Sequence, residues 1–158
     1  MASSAQPGTG PSEEFRFPGN RLGLPQDGPG SVATWGRRVL ALFVDWLIAA
    51  LIASAVTSKP IWAGGNDFST AQLVTFFAMT AILTGLVGGT IGHRLCGLRV
   101  IPVRGGTTYT SQPGLLAGVI RAVLICLVIP AVVFDRDRRG LHDLAAKTVV
   151  VQRQVSGA

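Results

Sequence analysis

The chain has 158 residues, of which 48% are hydrophobic and 14% charged, and it carries a net charge of +6. Soluble domains hold about 25% charged residues, so this composition points to a small membrane protein with at most one modest domain. The basic excess reads as charge flanking membrane spans, because no basic patch is interleaved with stacking aromatics as a nucleic-acid surface would be.

Residues 1–33 hold five of the nine prolines and six glycines. Such a stretch buries too little apolar surface to offset ordering, and it is expected to be a disordered cytoplasmic tail. Within it, Phe15 to Pro25 interleaves apolar residues with arginines, a pattern suited to docking on a membrane surface or a partner. No short basic start and cleavage pattern precedes the first apolar run, so no signal peptide is expected.

From Val39 to Val56 the chain is almost continuously apolar. About eighteen residues make ~27 Å of helix at ~1.5 Å per residue, close to the ~30 Å hydrocarbon thickness of a bilayer. A transmembrane helix is predicted, with Arg37 and Arg38 at its entrance and Asp45 inside it. A carboxylate costs roughly 2.5–3.5 kcal/mol at the centre of a span, so Asp45 should face protein or water. A short loop, Ser58 to Asp67, leads to a second apolar run from Phe68 to Ile91 and implies an antiparallel neighbour. Ala81, Gly85 and Gly89 recur at four-residue spacing in that run. They form a flat helix face expected to hold the first span or a second copy of the protein.

The next segment is basic, with His93, Arg94, Arg99 and Arg104 facing no acid of their own. Leu98 to Val103 reads as a strand entering a hairpin at Arg104-Gly105-Gly106-Thr107, and Pro102 predicts an edge position for it. A third apolar run, Pro113 to Phe134, has Arg121 near its middle and Pro130 near its end. The thirteen or so residues from Ala122 to Phe134 reach only ~20 Å, too short for a full span. The tail from Asp135 to Arg153 carries five Lys/Arg and a second strand-like run, Thr148 to Val151.

Charge placement favours a third run that enters the membrane and returns. Twelve of the fourteen Lys/Arg then lie in the cytoplasm, leaving Lys59 outside and Arg121 at the boundary. The expected fold is an all-α membrane protein, a small transmembrane helical bundle. It has two full spans plus a third membrane-embedded helix, with a short cytoplasmic β-hairpin-like element. The alternative is three full spans. In the favoured arrangement the 98–103 and 148–151 strands share a compartment and could pair. The domain reading is a 1–33 tail, a 34–153 transmembrane domain and a disordered 154–158 end.

Arg38 and Asp45 lie seven residues apart, about two turns or ~10 Å along one helix face. Each should therefore find its partner elsewhere, with Arg121, Arg94, His142 and the 135–143 acids as candidates. One reading is mutual neutralisation that fixes the bundle; the other is an ion or proton path through Asp45 and Arg121. His142-Asp143 lacks a nucleophile in a suitable turn, and His93 and His142 lack neighbours at metal spacing. No phosphate loop or dinucleotide fingerprint is present. No catalytic, cofactor or metal residue is assigned, and no enzyme activity is expected. Cys96 and Cys126 form no CxxC pair and read as reduced packing residues.

Three motifs occur together: Arg38 with Asp45; Thr90-x-Gly92-x-Arg94-x-x-Gly97-Leu98-Arg99-Val100; and Arg139-Gly140-Leu141-His142-Asp143-x-x-Ala146-x-Thr148-Val149-Val150. In this order they resemble the RDD family of bacterial membrane proteins over roughly residues 34–153. The family is named for one arginine and two aspartates, which correspond by motif to Arg38, Asp45 and Asp143. His93 stands where family members usually have Lys. The resemblance implies a multi-pass protein of the bacterial plasma (inner) membrane with a cytoplasmic N-terminus, and it carries no activity with it. The expected function is a non-enzymatic subunit or self-associating module built on a buried Arg/Asp network. Its partners are the lipid bilayer and copies of itself or a larger membrane complex, with no nucleic acid. The alternative is a small oligomeric transporter of protons or monovalent cations with Asp45 as the titrating group.

Overall fold

The computed structural model describes residues 16–62, 64–127 and 138–153. Helix α1 spans Trp35–Thr57 and helix α2 spans Asn66–Val87. At ~1.5 Å per residue each is roughly 33–35 Å long, and both are long and apolar enough to cross a membrane. They meet through small residues: Ala50 and Ala53 of α1 pack on Phe68 of α2. Helix α2 stops at Val87 rather than running on to Ile91. Gly88 takes a left-handed conformation, and its N–H closes onto the carbonyls of Leu83 and Thr84. Gly89 therefore lies beyond the helix and off the predicted packing face.

After that cap come a short helix α3, Ile91–Leu95, and strand β1, Leu98–Arg104, which turns through Gly105 and Gly106 into β2, Thr107–Thr108. Helix α4, Leu115–Cys126, follows. At twelve residues, or ~18 Å, it is too short to span a bilayer. Pro130 and the rest of the predicted run to Phe134 lie outside the described residues. A second short helix, α5 (Leu141–Ala145), leads into β3, Thr148–Gln152.

The sheet has the antiparallel order β2-β1-β3. Strand β1 is thus central, not the edge strand its proline predicts. The N–H and C=O of one residue leave a strand on the same side, and the Pro102 carbonyl accepts from Tyr109 N–H on the β2 side. The missing donor points past the end of the two-residue β2, so the ladder to β3 loses nothing. The pairing of β1 with β3 holds residues 98–104 and 148–152 together. Residues of the 98–103 and 148–151 stretches, expected to be able to pair, do so.

The two halves of the sheet repeat one plan. In each, a five-residue helix, one further residue and a left-handed residue (Gly97, φ 67°; Lys147, φ 51°) lead into a strand. Corresponding positions differ by fifty, and Val100 pairs with Val150, the register a local two-fold axis requires.

One sheet face, Leu98, Val100 and Val150, packs on Ala33 and on Ala41 of α1. The other, Ile101, Val103, Val149 and Val151, is covered by Leu22 and Val32 with Leu24 alongside. Residues 16–33, expected to be part of a disordered tail, are thus fixed on the sheet. A 3-10 turn at Asn20–Leu22 presents Leu22, and Val32 bridges to Val151. Ala33 N–H donates to Val150, and Gln152 N–H to Ser31. Buried Leu22 and Val32, partly buried Leu24 and these backbone hydrogen bonds together hold the stretch against the sheet.

Candidate functional site

The site is a buried charged cluster where the N-terminal end of α1 meets α3, α4, α5 and the sheet. Asp143 is fully buried at the start of α5 and receives two arginines. Arg38 Nη1 donates to Oδ2 at 2.6 Å from one turn into α1, and Arg121 Nη1 donates to Oδ1 from the middle of α4. Gly140 N–H donates to Oδ2 at 3.2 Å, so the same carboxylate also satisfies an otherwise orphaned donor at the start of α5. Arg38 Nη2 reaches the Val150 carbonyl at 3.2 Å, and Arg121 Nη1 reaches Thr148 Oγ1 at 2.9 Å. Three helices and β3 thus converge on one residue.

Asp45 makes a second node. It is 2% exposed on the inner face of α1. Gly92 N–H donates to its Oδ1 at 2.7 Å, and the Thr90 hydroxyl donates to Oδ2. Thr90 is the N-cap of α3, accepting from His93 N–H at 3.3 Å. The approach requires a glycine. A Cβ on Gly92 would collide with the Ala41 carbonyl oxygen and stand 2.9 Å from the Asp45 carboxyl carbon. His93 Nδ1 lies 2.6 Å from Thr90 Oγ1 and 3.9 Å from Asp45 Oδ2. Burial pushes its imidazole down to about 3, with the positive charges of Arg121 and Arg38 adding to the effect. His93 is therefore neutral at physiological pH. Two arginines and two aspartates then formally balance, which a buried cluster needs if it is not to strand a charge.

The family charges do not pair with each other along α1. Arg38 and Arg121 both meet Asp143, while Asp45 meets Thr90 and Gly92. His142 lies beside this node, its Nε2 3.5 Å from Asp143 Oδ1. Arg94 is exposed on α3 and joins neither aspartate. Ala81 and Gly85 sit on the inner face of α2, where α4 rather than α1 is seated. A Cβ on Gly85 would stand 2.7 Å from Leu115 Cα, and one on Gly118 would strike the Ala81 carbonyl. Thr90, Gly92 and Thr148 were not singled out from sequence as site residues. The available signals were their places in the two family-like motifs, the N-cap residue Thr90 immediately before Ile91, and a β-branched hydroxyl opening β3.

No three His, Cys, Asp or Glu side chains among the described residues group so as to hold a metal ion. Burial pushes the Cys96 thiol above its ordinary value, the Asp45 charge adding to the shift, which disfavours the reactive thiolate.

The RDD family profile matches residues 32–147. The uncharacterized membrane protein YteJ of Bacillus subtilis (strain 168) is 26% identical over 130 residues, covering 75% of this chain and 79% of that protein. No solved structure matches the chain. With its matched segment running through both aspartate nodes and their arginines, the chain belongs to the RDD family.

Proposed function

We propose that the protein is a non-enzymatic integral membrane module. Helices α1 and α2 span the bilayer, α4 is embedded from one side, and the sheet and N-terminus lie in the cytoplasm. The observation that carries this reading is the inverted distribution of side chains. The buried face of α1 is Ala41, Asp45, Ala49, Ala50 and Ala53; that of α2 is Phe68, Gln72 and Phe76 in its first half and the small Thr80, Ala81, Thr84 and Gly85 in its second. Large apolar residues point outward instead: Phe43, Leu51 and Val56 are 56%, 60% and 73% exposed. Small residues inside allow close helix approach where lipid supplies no hydrophobic drive, whereas a soluble monomer rarely exposes so continuous an apolar surface. Arg37, Arg38, Arg94, Arg99, Arg104 and Arg153 cluster at the sheet end, which supports a cytoplasmic sheet.

On this reading the charged cluster is architectural. It joins the first span, the embedded helix and the sheet into one unit. The glycine face of α2 is already filled by α4, so association with copies or other subunits would use the outward flanks of α1 and α2.

The test is reconstitution of the purified protein in liposomes under an imposed proton gradient. No cation-dependent flux is expected for the wild type, and Asp45→Asn should lower the melting temperature. A flux lost in Asp45→Asn with melting unchanged would overturn the architectural role in favour of transport.

A further inference from the structure

Where α2 ends against the sheet there is a pocket of about 270 Å³. Its walls carry Arg94 from α3, Arg99 from β1 and Arg153 from the end of β3, with Gln112 opposite and Leu86 and Val87 of α2 at the rim. None of the lining residues is acidic, and among the described residues none of the three arginines has an acidic partner. These guanidiniums are separate from the cluster described above. Arg38 and Arg121 are committed to Asp143, whereas here three cations share one concavity without an anion.

The pocket is held in place by the backbone. Val100 N–H donates to the Gly88 carbonyl at 2.7 Å, and Arg153 N–H to the Gly97 carbonyl at 2.7 Å. Gly88 has φ 75° and would bring a Cβ to 3.2 Å from the Val100 carbonyl, so strand and helix end meet without a side chain between them. Arg99 Nη2 donates to the Thr110 carbonyl at 2.8 Å, which orients that guanidinium and leaves its other donors for a ligand. The last carbonyls of α2 disfavour an anion through the helix dipole. That effect is weakened here because Leu83 and Thr84 are capped by Gly88 and the Gly88 carbonyl is taken by Val100.

We propose that this pocket binds a phosphate group at the membrane boundary. Planar, permanently charged guanidiniums match phosphate oxygens in paired donor geometry, and basic pockets at the cytoplasmic ends of membrane helices suit anionic headgroups. The chemistry is shared by an anionic phospholipid headgroup and a free phosphate ester. Exposed Leu86 on the rim provides an apolar surface along which an acyl chain would run. The lipid source rests on the membrane placement proposed above; the phosphate chemistry does not.

The test uses the full chain purified in detergent and offered phosphatidylglycerol or phosphatidylcholine, with retained lipid read by native mass spectrometry and glycerol phosphate as the soluble competitor. Phosphatidylglycerol is expected to be retained preferentially. Arg94→Gln and Arg153→Gln should each weaken it about fivefold, the equivalent of ~1 kcal/mol per basic residue. Arg104→Gln, outside the pocket, should leave retention unchanged. Displacement by equimolar glycerol phosphate would support the site and assign it to a soluble phosphate ester, while resistance to displacement would support the site and assign it to lipid. A wild type without preference between the two lipids and without affinity for glycerol phosphate overturns the proposal. So does equal loss on Arg104→Gln. Failure of the membrane placement itself would appear separately, as wild-type protein absent from the membrane fraction of cells.

Discussion

The carboxylate of Asp45 accepts the backbone N–H of Gly92 at 2.7 Å, so a side chain on the first helix caps the short helix that launches the sheet. The first helix and the short helix before β1 are thereby joined through a close approach that only a glycine permits. Gly92→Ala would drive a methyl into the Ala41 carbonyl and the Asp45 carboxyl. A loss of about 3 kcal/mol or more is expected from such overpacking, read as a lower melting temperature in detergent. Gly36→Ala, with open space at its Cβ in the first turn of α1, should be neutral or gain up to ~1 kcal/mol.

Asp143 neutralises two buried guanidiniums, so removing its charge should cost more than removing either arginine. Asp143→Asn is expected to destabilise by roughly 3–5 kcal/mol, the usual penalty for stranding a buried charge. In a double-mutant cycle, Arg121→Met with Asp143→Asn should lose clearly less than the sum of the two single changes. Additive losses in thermal melts would mean that the two side chains do not interact.

The α2–α4 contact depends on the absence of side chains at Gly85 and Gly118. Gly85→Leu and Gly118→Leu should each unseat α4, lowering the melting temperature and raising protease sensitivity. The sequence alone assigned this face to the first span or to a second copy. If Gly85→Leu instead changes only the oligomeric state, with melting intact, the internal seating of α4 is wrong.

His93 gives a pH dependence whose sign is fixed by its burial as a neutral ring. Its folded value, about 3, lies below the ordinary 6.5. Between these values the unfolded chain binds a proton that the folded chain does not, so stability is complete above about pH 6.5 and falls as the pH drops toward 3. The slope from this one group approaches 1.4 kcal/mol per pH unit in that window. His93→Gln should flatten the difference between melting temperatures at pH 7 and pH 4.5 relative to wild type. An identical pH profile in the variant would remove the effect.

Much of this was legible because long apolar runs and β-branched stretches are strong local patterns. The two long apolar runs gave α1 and α2 within a few residues, and the β-branched 98–103 and 148–151 stretches gave β1 and β3. The charge asymmetry favoured their sharing one side. What sequence could not supply was the pairing of charges across distant elements. Seven-residue spacing put Arg38 and Asp45 too far apart for an easy contact and left the 135–143 acids among the candidate partners, but nothing local selected Asp143 for Arg38 or a backbone N–H for Asp45. The Pro102 expectation failed because an edge assignment assumes both sides of a strand are demanded by neighbours, and β2 is too short to make that demand. Leu22 and Leu24 lie in the Phe15–Pro25 segment, whose pattern suggests docking on a membrane surface or a partner; the sheet face that receives them with Val32 exists only after β1 and β3 have paired.

The proposed membrane placement requires residues 98–104 and 141–152 to lie on one side of the membrane and the α1–α2 loop on the other. In a background of Cys96→Ala and Cys126→Ala, single cysteines at the exposed positions Arg104, Ala145 and Trp62 can be probed in intact cells with a membrane-impermeant maleimide. The account predicts that Trp62→Cys is labelled in intact cells, and that Arg104→Cys and Ala145→Cys react only after permeabilisation. Labelling of Arg104→Cys and Ala145→Cys from opposite sides would contradict it.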